Sequence, residues 1–180
     1  MNTVILFGSP RKKGNTIQLV DILSQTLKDK GHNVRTIYLN DLNIRPCQGC
    51  RACVPKGVCK INDDMKDIRK YMKESDLIVY ATPIYWFGPS GQLKLVMDRS
   101  FAFFDNNYNS RIKGKKAITI MTCGDEDLET CRPTMEMFKK TFNLLGLSYA
   151  GSIEATGCGQ MGIVKKKFQE KTRKLAESIA

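Results

Sequence analysis

Four cysteines fall within thirteen residues, Cys47, Cys50, Cys53 and Cys59, in the spacing C-x2-C-x2-C-x5-C. Thiols at this density require a cause, and three compete: metal ligation, redox chemistry or disulfide formation. Zinc commonly takes two cysteine pairs set about a dozen or more residues apart, and here the pairs are not separated. A disulfide framework runs against a reducing cytoplasm, although oxidation after purification would make one. An iron–sulfur cubane suits a compact loop best, because three thiolates can wrap one corner and the chain can return with a fourth. The bacterial ferredoxin run is C-x2-C-x2-C-x3-C-P. This chain departs from it: the last gap is five, Lys60 stands in place of the proline, and Pro46 precedes the first cysteine. The expectation is one [4Fe–4S] cluster on these four residues, in a cysteine-rich loop spanning 46–62. Cys123, Cys131 and Cys158 are dispersed along the sequence and read as packing residues.

The second stretch with chemistry is Gly8 to Thr16, Gly-Ser-Pro-Arg-Lys-Lys-Gly-Asn-Thr. It joins an apolar run, Val4 to Phe7, to an amphipathic run, Ile17 to Leu27. Its composition suits the holding of a phosphate. Gly8 and Gly14 free the backbone to turn its N–H groups inward. Ser9, Asn15 and Thr16 carry hydroxyl and amide donors, and Arg11, Lys12 and Lys13 carry positive charge. A helix beginning after the loop adds unpaired N–H groups and its positive dipole end. The stretch is not a Walker loop, since no Gly-Lys-Ser/Thr closes it, and it lacks the Gly-x-Gly-x-x-Gly fingerprint. The bland alternative is an ordinary basic turn between strand and helix.

A third stretch is Thr82 to Pro89, where Tyr85, Trp86 and Phe87 follow one another outside any strand pattern. So much apolar surface in a loop either covers something flat, joins a partner subunit or caps the core. Beside a phosphate loop, a planar heteroaromatic ring is the expected occupant. Cys123-Gly124-Asp125-Glu126-Asp127 forms a further loop after an apolar run.

Positioning these loops requires strands that alternate with helices. Strands are predicted at Thr3–Phe7, Asn33–Leu39, Asp76–Ala81, Lys115–Thr122 and Leu147–Ala155. Helices are predicted at Thr16–Lys30, from Asp63 or Asp64 to about Glu74, at Ser90–Phe104, Arg132–Leu145 and Gly162–Ile179, from apolar residues at helical spacing. Alternation of this kind implies an α/β fold with a parallel sheet covered on both faces. Five such units match the flavodoxin-like, doubly wound five-stranded sheet of order 2-1-3-4-5. That topology reverses between its first and third strands, so the glycine loop and the aromatic loop would flank one crevice. At 180 residues the chain is expected to form a single domain over 1–180.

The formal charge is +11, which raises nucleic acid as a partner. The basic residues are scattered over helix faces and turns, with no stripe interleaved with aromatics, so a solvated lysine-rich surface is the expectation and nucleic acid is not. No apolar run reaches the length of a membrane span, and no leader precedes the first strand, so a cytoplasmic location is expected. A lone histidine, His32, lies at a predicted turn, which leaves a Ser-His-Asp triad or a histidine metal site without members.

Taken together, Gly8-Ser9-Pro10-Arg11, Gly14-Asn15-Thr16, Pro83-Ile84-Tyr85 and Gly91-Gln92-Leu93-Lys94 with Asp98-Arg99 resemble the NADPH-dependent FMN reductase group of flavodoxin-like proteins. With the cysteine loop and the following Asp63-Asp64-Met65, the chain is similar to the iron–sulfur flavoprotein family. The resemblance implies FMN, its phosphate held by Ser9, Arg11, Gly14, Asn15 and Thr16. It implies Pro83, Ile84, Tyr85, Trp86 and Phe87 along the isoalloxazine, and Cys123 and Gly124 near its far side. It implies a homodimer or homotetramer with the cluster near a subunit interface. The function expected is that of an FMN-dependent oxidoreductase transferring electrons from a ferredoxin-like donor or NAD(P)H to an acceptor through FMN and a [4Fe–4S] cluster. A cluster-free NAD(P)H-dependent FMN or quinone reductase is the alternative, and a basic binding module without cofactor a distant third.

Overall fold

The computed structural model describes residues 1–160 and 162–180. One sheet organises the chain. Its parallel strands are β1 (Asn2–Phe7), β2 (Asn33–Tyr38), β3 (Leu77–Tyr85), β5 (Lys116–Thr122) and β6 (Ser148–Ala155), in the order β2-β1-β3-β5-β6. A two-residue strand, β4 (Gly88–Pro89), pairs antiparallel with the end of β3. With β4 set aside this is the expected flavodoxin-like order 2-1-3-4-5. The central strands are apolar along their whole length, as burial on both faces demands: Val4 to Phe7 and Leu77 to Ala81 are all buried.

Two cores follow from this. The helices α1 (Asn15–Asp29) and α5 (Lys166–Ile179) cover one face, with Leu19, Leu23, Phe168 and Ala176 packed on Ile5, Val79 and Ile118. On the other face α2 (Met65–Glu74), α3 (Gly91–Arg99) and α4 (Arg132–Leu145) bring Met72, Val96 and Phe138 onto Val4, Ile78 and Tyr80. Because α1 leaves β1 toward one face and α3 leaves β3 toward the other, the loops after β1 and β3 part at the sheet edge. This is the topological switch point.

Three elements differ from the pattern read in the sequence. The strand expected to stop at Ala81 continues to Tyr85. Pro83 is tolerated because β1 ends its pairing at Phe7↔Ala81, leaving Pro83 paired only with Thr122 of β5. The helix expected to reach Phe104 ends at Arg99 and tightens into a 3₁₀ turn over Ser100–Phe103. The last helix begins at Lys166 rather than Gly162. The helix starts of α3 and α4 follow local chemistry: Ser90 Oγ accepts from Leu93 N–H, and Pro133 sits in the first turn of α4.

Gly8 closes the seam between β1 and β3. Its N–H donates to Ala81 O at 2.8 Å, and its carbonyl accepts from Ser90 Oγ at 2.6 Å. A Cβ on this residue would lie 2.8 Å from both Leu93 Cβ and Ser90 Oγ. Gly8→Ala is therefore expected to destabilise the fold by about 1–3 kcal/mol through overpacking. A denaturant midpoint unchanged from wild type would refute that reading of the seam.

Candidate active site and cysteine loop

A cleft of about 240 Å³ opens at the carboxyl edge of the sheet. Ser9, Arg11, Gly14, Asn15 and Thr16 line one side, and Pro83, Ile84 and Tyr85 another. Cys123 and Gly124 close it from the end of β5. Three stretches distant in sequence thus meet, as the switch point requires. The structure adds Thr122, Cys158 and Gly159, which the sequence reading omitted. The signal for the last two was the topology itself, since the loop after β6 must leave from the same sheet edge.

The floor of the cleft is the N-terminus of α1. Gly14 stands at its N-cap, and among the described residues no side chain caps the first turn. The N–H groups of that turn are left for an anion, reinforced by the helix dipole. Arg11 is exposed beside them, its own N–H donating to Ser9 Oγ. Lys12 pairs instead with Asp41 at 2.5 Å, tying the loop to the turn after β2.

Two of the expected phosphate donors are otherwise engaged through their side chains. Asn15 Nδ2 donates to Cys158 O at 2.8 Å and to Gln160 O at 3.1 Å, which fastens the loop after β6 across the mouth of the cleft. Thr16 Oγ1 meets Thr122 Oγ1 at 2.7 Å in a buried contact between α1 and β5. What Asn15 and Thr16 present to the cleft edge is backbone N–H. The N–H of Gly8 likewise serves the sheet rather than a ligand.

Trp86 and Phe87 form the tip of the β3–β4 hairpin and do not line the cleft. Both adopt positive φ, 50° and 61°, the two-residue geometry usually reserved for Asn-Gly. Trp86 is 96% exposed, and Phe87 is anchored through its carbonyl, which accepts from Thr134 Oγ1 at 2.7 Å. Tyr85, by contrast, belongs both to β3 and to the cleft wall.

Cys123, Cys131 and Cys158 are buried, as packing residues should be. They are not dispersed in space: Cys123 Sγ and Cys131 Sγ lie 3.6 Å apart. Burial, then the neighbouring Cys123 sulfur, pushes the Cys131 thiol up to about 12. Burial raises Cys158 to about 11 and raises Cys123 as well. All three remain protonated at neutral pH.

The cysteine loop leaves the carboxyl end of β2 and is latched at several points. Arg99, on α3, donates to both oxygens of Asp63 at 2.8 and 3.0 Å and to Arg45 O at 2.7 Å. Asp63 also accepts from the N–H of Arg45 at 2.9 Å. Asp63 Oδ1 also accepts from the N–H of Met65, the first residue of α2, at 3.2 Å, so the carboxylate both caps that helix and serves as the counterion of Arg99, with both side chains sealed from solvent. Arg111 donates to Phe104 O and Val54 O, and Arg51 to the Tyr108 hydroxyl. On this frame Cys47 and Cys50 are exposed, while Cys53 and Cys59 are half-buried. Burial raises the Cys53 thiol above its ordinary value. Among the described residues the four thiols are not gathered into one metal-ligating group. Four thiols match an iron–sulfur cluster in number and donor type, but as placed they do not form a site for one.

The sequence profile described as NADPH-dependent FMN reductase matches residues 1–153. The chain belongs to that family. Its relatives include iron–sulfur flavoprotein MJ1083 of Methanocaldococcus jannaschii, 42% identical over 56% of this chain and 52% of the relative. YwqN of Bacillus subtilis, provisionally named an NAD(P)H-dependent FMN-containing oxidoreductase, is 30% identical over 87% of this chain and 86% of its own length. Among solved structures, an NAD(P)H:quinone oxidoreductase from Methanothermobacter marburgensis superposes with a TM-score of 0.81 at 17% identity, covering 99% of this chain and 96% of that one; that likeness speaks to the fold alone. This FMN reductase family member spans about half to two thirds of the length of the iron–sulfur flavoproteins it matches. Among its described residues no helix is long and apolar enough to cross a membrane.

The Asp63–Arg99 pair yields a pH prediction. Burial alone would raise the Asp63 carboxyl, but the Arg99 guanidinium and the N–H groups of Arg45 and Met65 outweigh it and hold it below the usual carboxylate range. A depressed folded value means the pair stabilises above the unfolded value, about 3.9, and the contribution is lost as pH falls through the folded one. Asp63→Asn should cost about 3–5 kcal/mol at pH 7 by leaving Arg99 buried and unpaired. The gap from wild type in denaturant midpoint should close progressively below about pH 3.9; a gap that persists into strong acid would disprove the assignment.

Proposed function

We propose that this FMN-dependent oxidoreductase seats FMN in the cleft between the ends of β1 and β3 and passes electrons between it and a [4Fe–4S] cluster on Cys47, Cys50, Cys53 and Cys59. The observation that carries the reading is the cleft itself, built by three loops of the sheet's carboxyl edge around a helix N-terminus without a side-chain cap. When bound, FMN supplies exchange of one or two electrons and the cluster exchange of one.

The chain's own residues place and shield. Ser9, Arg11 and the N–H groups of Gly14, Asn15 and Thr16 face the phosphate. Pro83, Ile84 and Tyr85 offer a rigid, half-apolar wall for the ring, with Cys123 and Gly124 opposite. Asn15, bonded to the loop after β6, keeps that loop over the site. The side chains of the cleft include no histidine or carboxylate among the described residues. The donor is a ferredoxin-like one-electron carrier or NAD(P)H. The exposed Trp86–Phe87 tip supports a homodimer or homotetramer in which a second copy covers it. Neither nucleic acid nor a membrane is a partner in this reading, and the compartment is the cytoplasm.

A second reading has an observation in its favour. The four loop thiols are not gathered among the described residues, and YwqN matches over nearly its whole length as an FMN-containing oxidoreductase. In that case the protein is a cluster-free NAD(P)H-dependent FMN or quinone reductase.

Iron, acid-labile sulfide and flavin measured on anaerobically purified protein separate the two. Cys50→Ala should lose iron and keep FMN; retention of iron with loss of FMN would contradict the assignment of the two sites. Arg11→Ala should weaken FMN by roughly 10- to 150-fold, the worth of one hydrogen bond to a charged group, and leave riboflavin affinity nearly unchanged. Equal losses for FMN and riboflavin would move the phosphate away from Arg11.

A further inference from the structure

A pair of thiols stands in the wall of the cleft, well away from the cysteine loop in sequence. Cys123 lines the cleft at the end of β5, and its Sγ lies 3.6 Å from the Sγ of Cys131. Cys131 is fully buried at the N-cap of α4. The two are eight positions apart in sequence, and the segment that joins them is fastened. Asp125 accepts from Thr130 Oγ1 at 2.7 Å and from the N–H of Asp127 at 3.1 Å. The N–H of Cys131 donates to Leu128 O at 2.9 Å. Cys123 is held from its other side, its N–H on Ala155 O at 3.0 Å and its carbonyl on the N–H of Cys158 at 2.8 Å. The two thiols are therefore kept in contact by backbone that is fixed around both. A disulfide needs its sulfurs about 2.05 Å apart, so these two must close by roughly 1.5 Å. The third buried thiol does not compete: Cys158 Sγ donates to Ala155 O at 3.4 Å.

The surroundings decide what such a pair can react with. Cys131 has no exposed surface and Cys123 is 5% exposed, on the side of the cleft. Burial keeps both thiols protonated at neutral pH, and thiols of that kind are inert toward solutes that pass by. An electron acceptor must sit in the cleft against Cys123 to draw on them. The thiols bring their own protons to the exchange, which matters where the cleft has no histidine or carboxylate among the described residues. The positive end of α4 favours charge on the Cys131 sulfur at the moment its proton leaves. In a reducing cytoplasm a pair that closes is catalytic or redox-sensing rather than structural.

We propose that Cys123 and Cys131 form a redox-active dithiol, a second two-electron site in the wall of the flavin cleft. Their S–H bonds break and one S–S bond forms. The two electrons and two protons released reduce an oxidised isoalloxazine ring, seated against Cys123, to its dihydro form. In reverse, the reduced ring returns two electrons and two protons and the pair reopens. The inference rests on the reading of the cleft as the FMN site and is independent of the four loop thiols.

The test follows the full chain by peptide mass after acid quenching and alkylation in denaturant. Trypsin leaves Cys123 and Cys131 in one peptide, between Lys116 and Lys139, because Arg132 precedes Pro133. A closed pair is therefore read as that peptide lacking two hydrogens and both alkyl groups. Flavin-free protein is first equilibrated, without air, in glutathione and dithiothreitol buffers of graded potential, and the Cys123–Cys131 disulfide is expected over a defined range. Protein prepared as the dithiol is then mixed with oxidised FMN, and protein prepared as the disulfide with reduced FMN. Both should reach the same mixture, with one flavin reduced for each disulfide closed. Cys131→Ser should bind FMN as wild type does and leave it in the oxidation state in which it was added. Alkylation of both cysteines at every potential would overturn the proposal, as would a disulfide to Cys158 in place of either. So would two preparations that stay as they were mixed, or a Cys131→Ser protein that trades electrons as wild type does. Should Cys131→Ser fail to fold, the balance between flavin and peptide in wild type still decides. FMN bound without any Cys123–Cys131 disulfide leaves the cleft reading standing and ends this inference alone; wild-type protein that binds no FMN ends both.

Discussion

The parallel pairing of β1 with β3 is the constraint on which the rest depends. Their register, Thr3↔Leu77 through Phe7↔Ala81, sets the end of β1 level with Ala81, past which β3 continues on β5 alone. Gly8 then bonds Ala81, and Ser90 bonds Gly8, so the loop after β1 and the segment after β3 start from a single fixed point. Their helices lie on opposite faces, so the two segments must diverge, and a cleft is the geometric result. A shift of one residue in that register would turn Phe7 and Ile5 to the wrong face and misplace the glycine loop along with them.

Around this point, side chains that could have bound a ligand are spent on building the site. Asn15 holds the loop after β6, Thr16 holds β5 through Thr122, and Lys12 holds the turn after β2 through Asp41. What remains for an anion is backbone N–H at the start of α1 with Arg11 beside it. That division is physically sensible. Backbone donors on a packed helix are pre-organised and lose little entropy on binding, whereas free polar side chains would have to be ordered.

The cysteine loop follows a different principle. It has little regular structure and is held at its root by one buried ion pair, Asp63 with Arg99, and along its length by hydrogen bonds from Arg111 to Val54 O and from Arg51 to the Tyr108 hydroxyl. Buried pairs of this kind contribute little net stability but penalise any arrangement that breaks them. They fix where the loop sits, and the strained hairpin tip at Trp86 and Phe87 is a comparable case of backbone held by its surroundings rather than by its own preference.

The sequence by itself determined the order of elements, the parallel sheet, the crevice and the residues around most of it, because these follow from periodicity, from buried strands and from the rule that places ligands at a topological switch point. It also determined that four thiols share one loop. Only the tertiary structure decided that β3 runs on to Tyr85, since Pro83 is acceptable there solely because β1 has already ended. Only the tertiary structure engaged the side chains of Asn15 and Thr16 with Cys158 O and Thr122, put Trp86 in solvent, and brought Cys123 against Cys131. Each of these depends on which distant atoms arrive within hydrogen-bonding or Coulombic range, and local pattern carries no record of that distance.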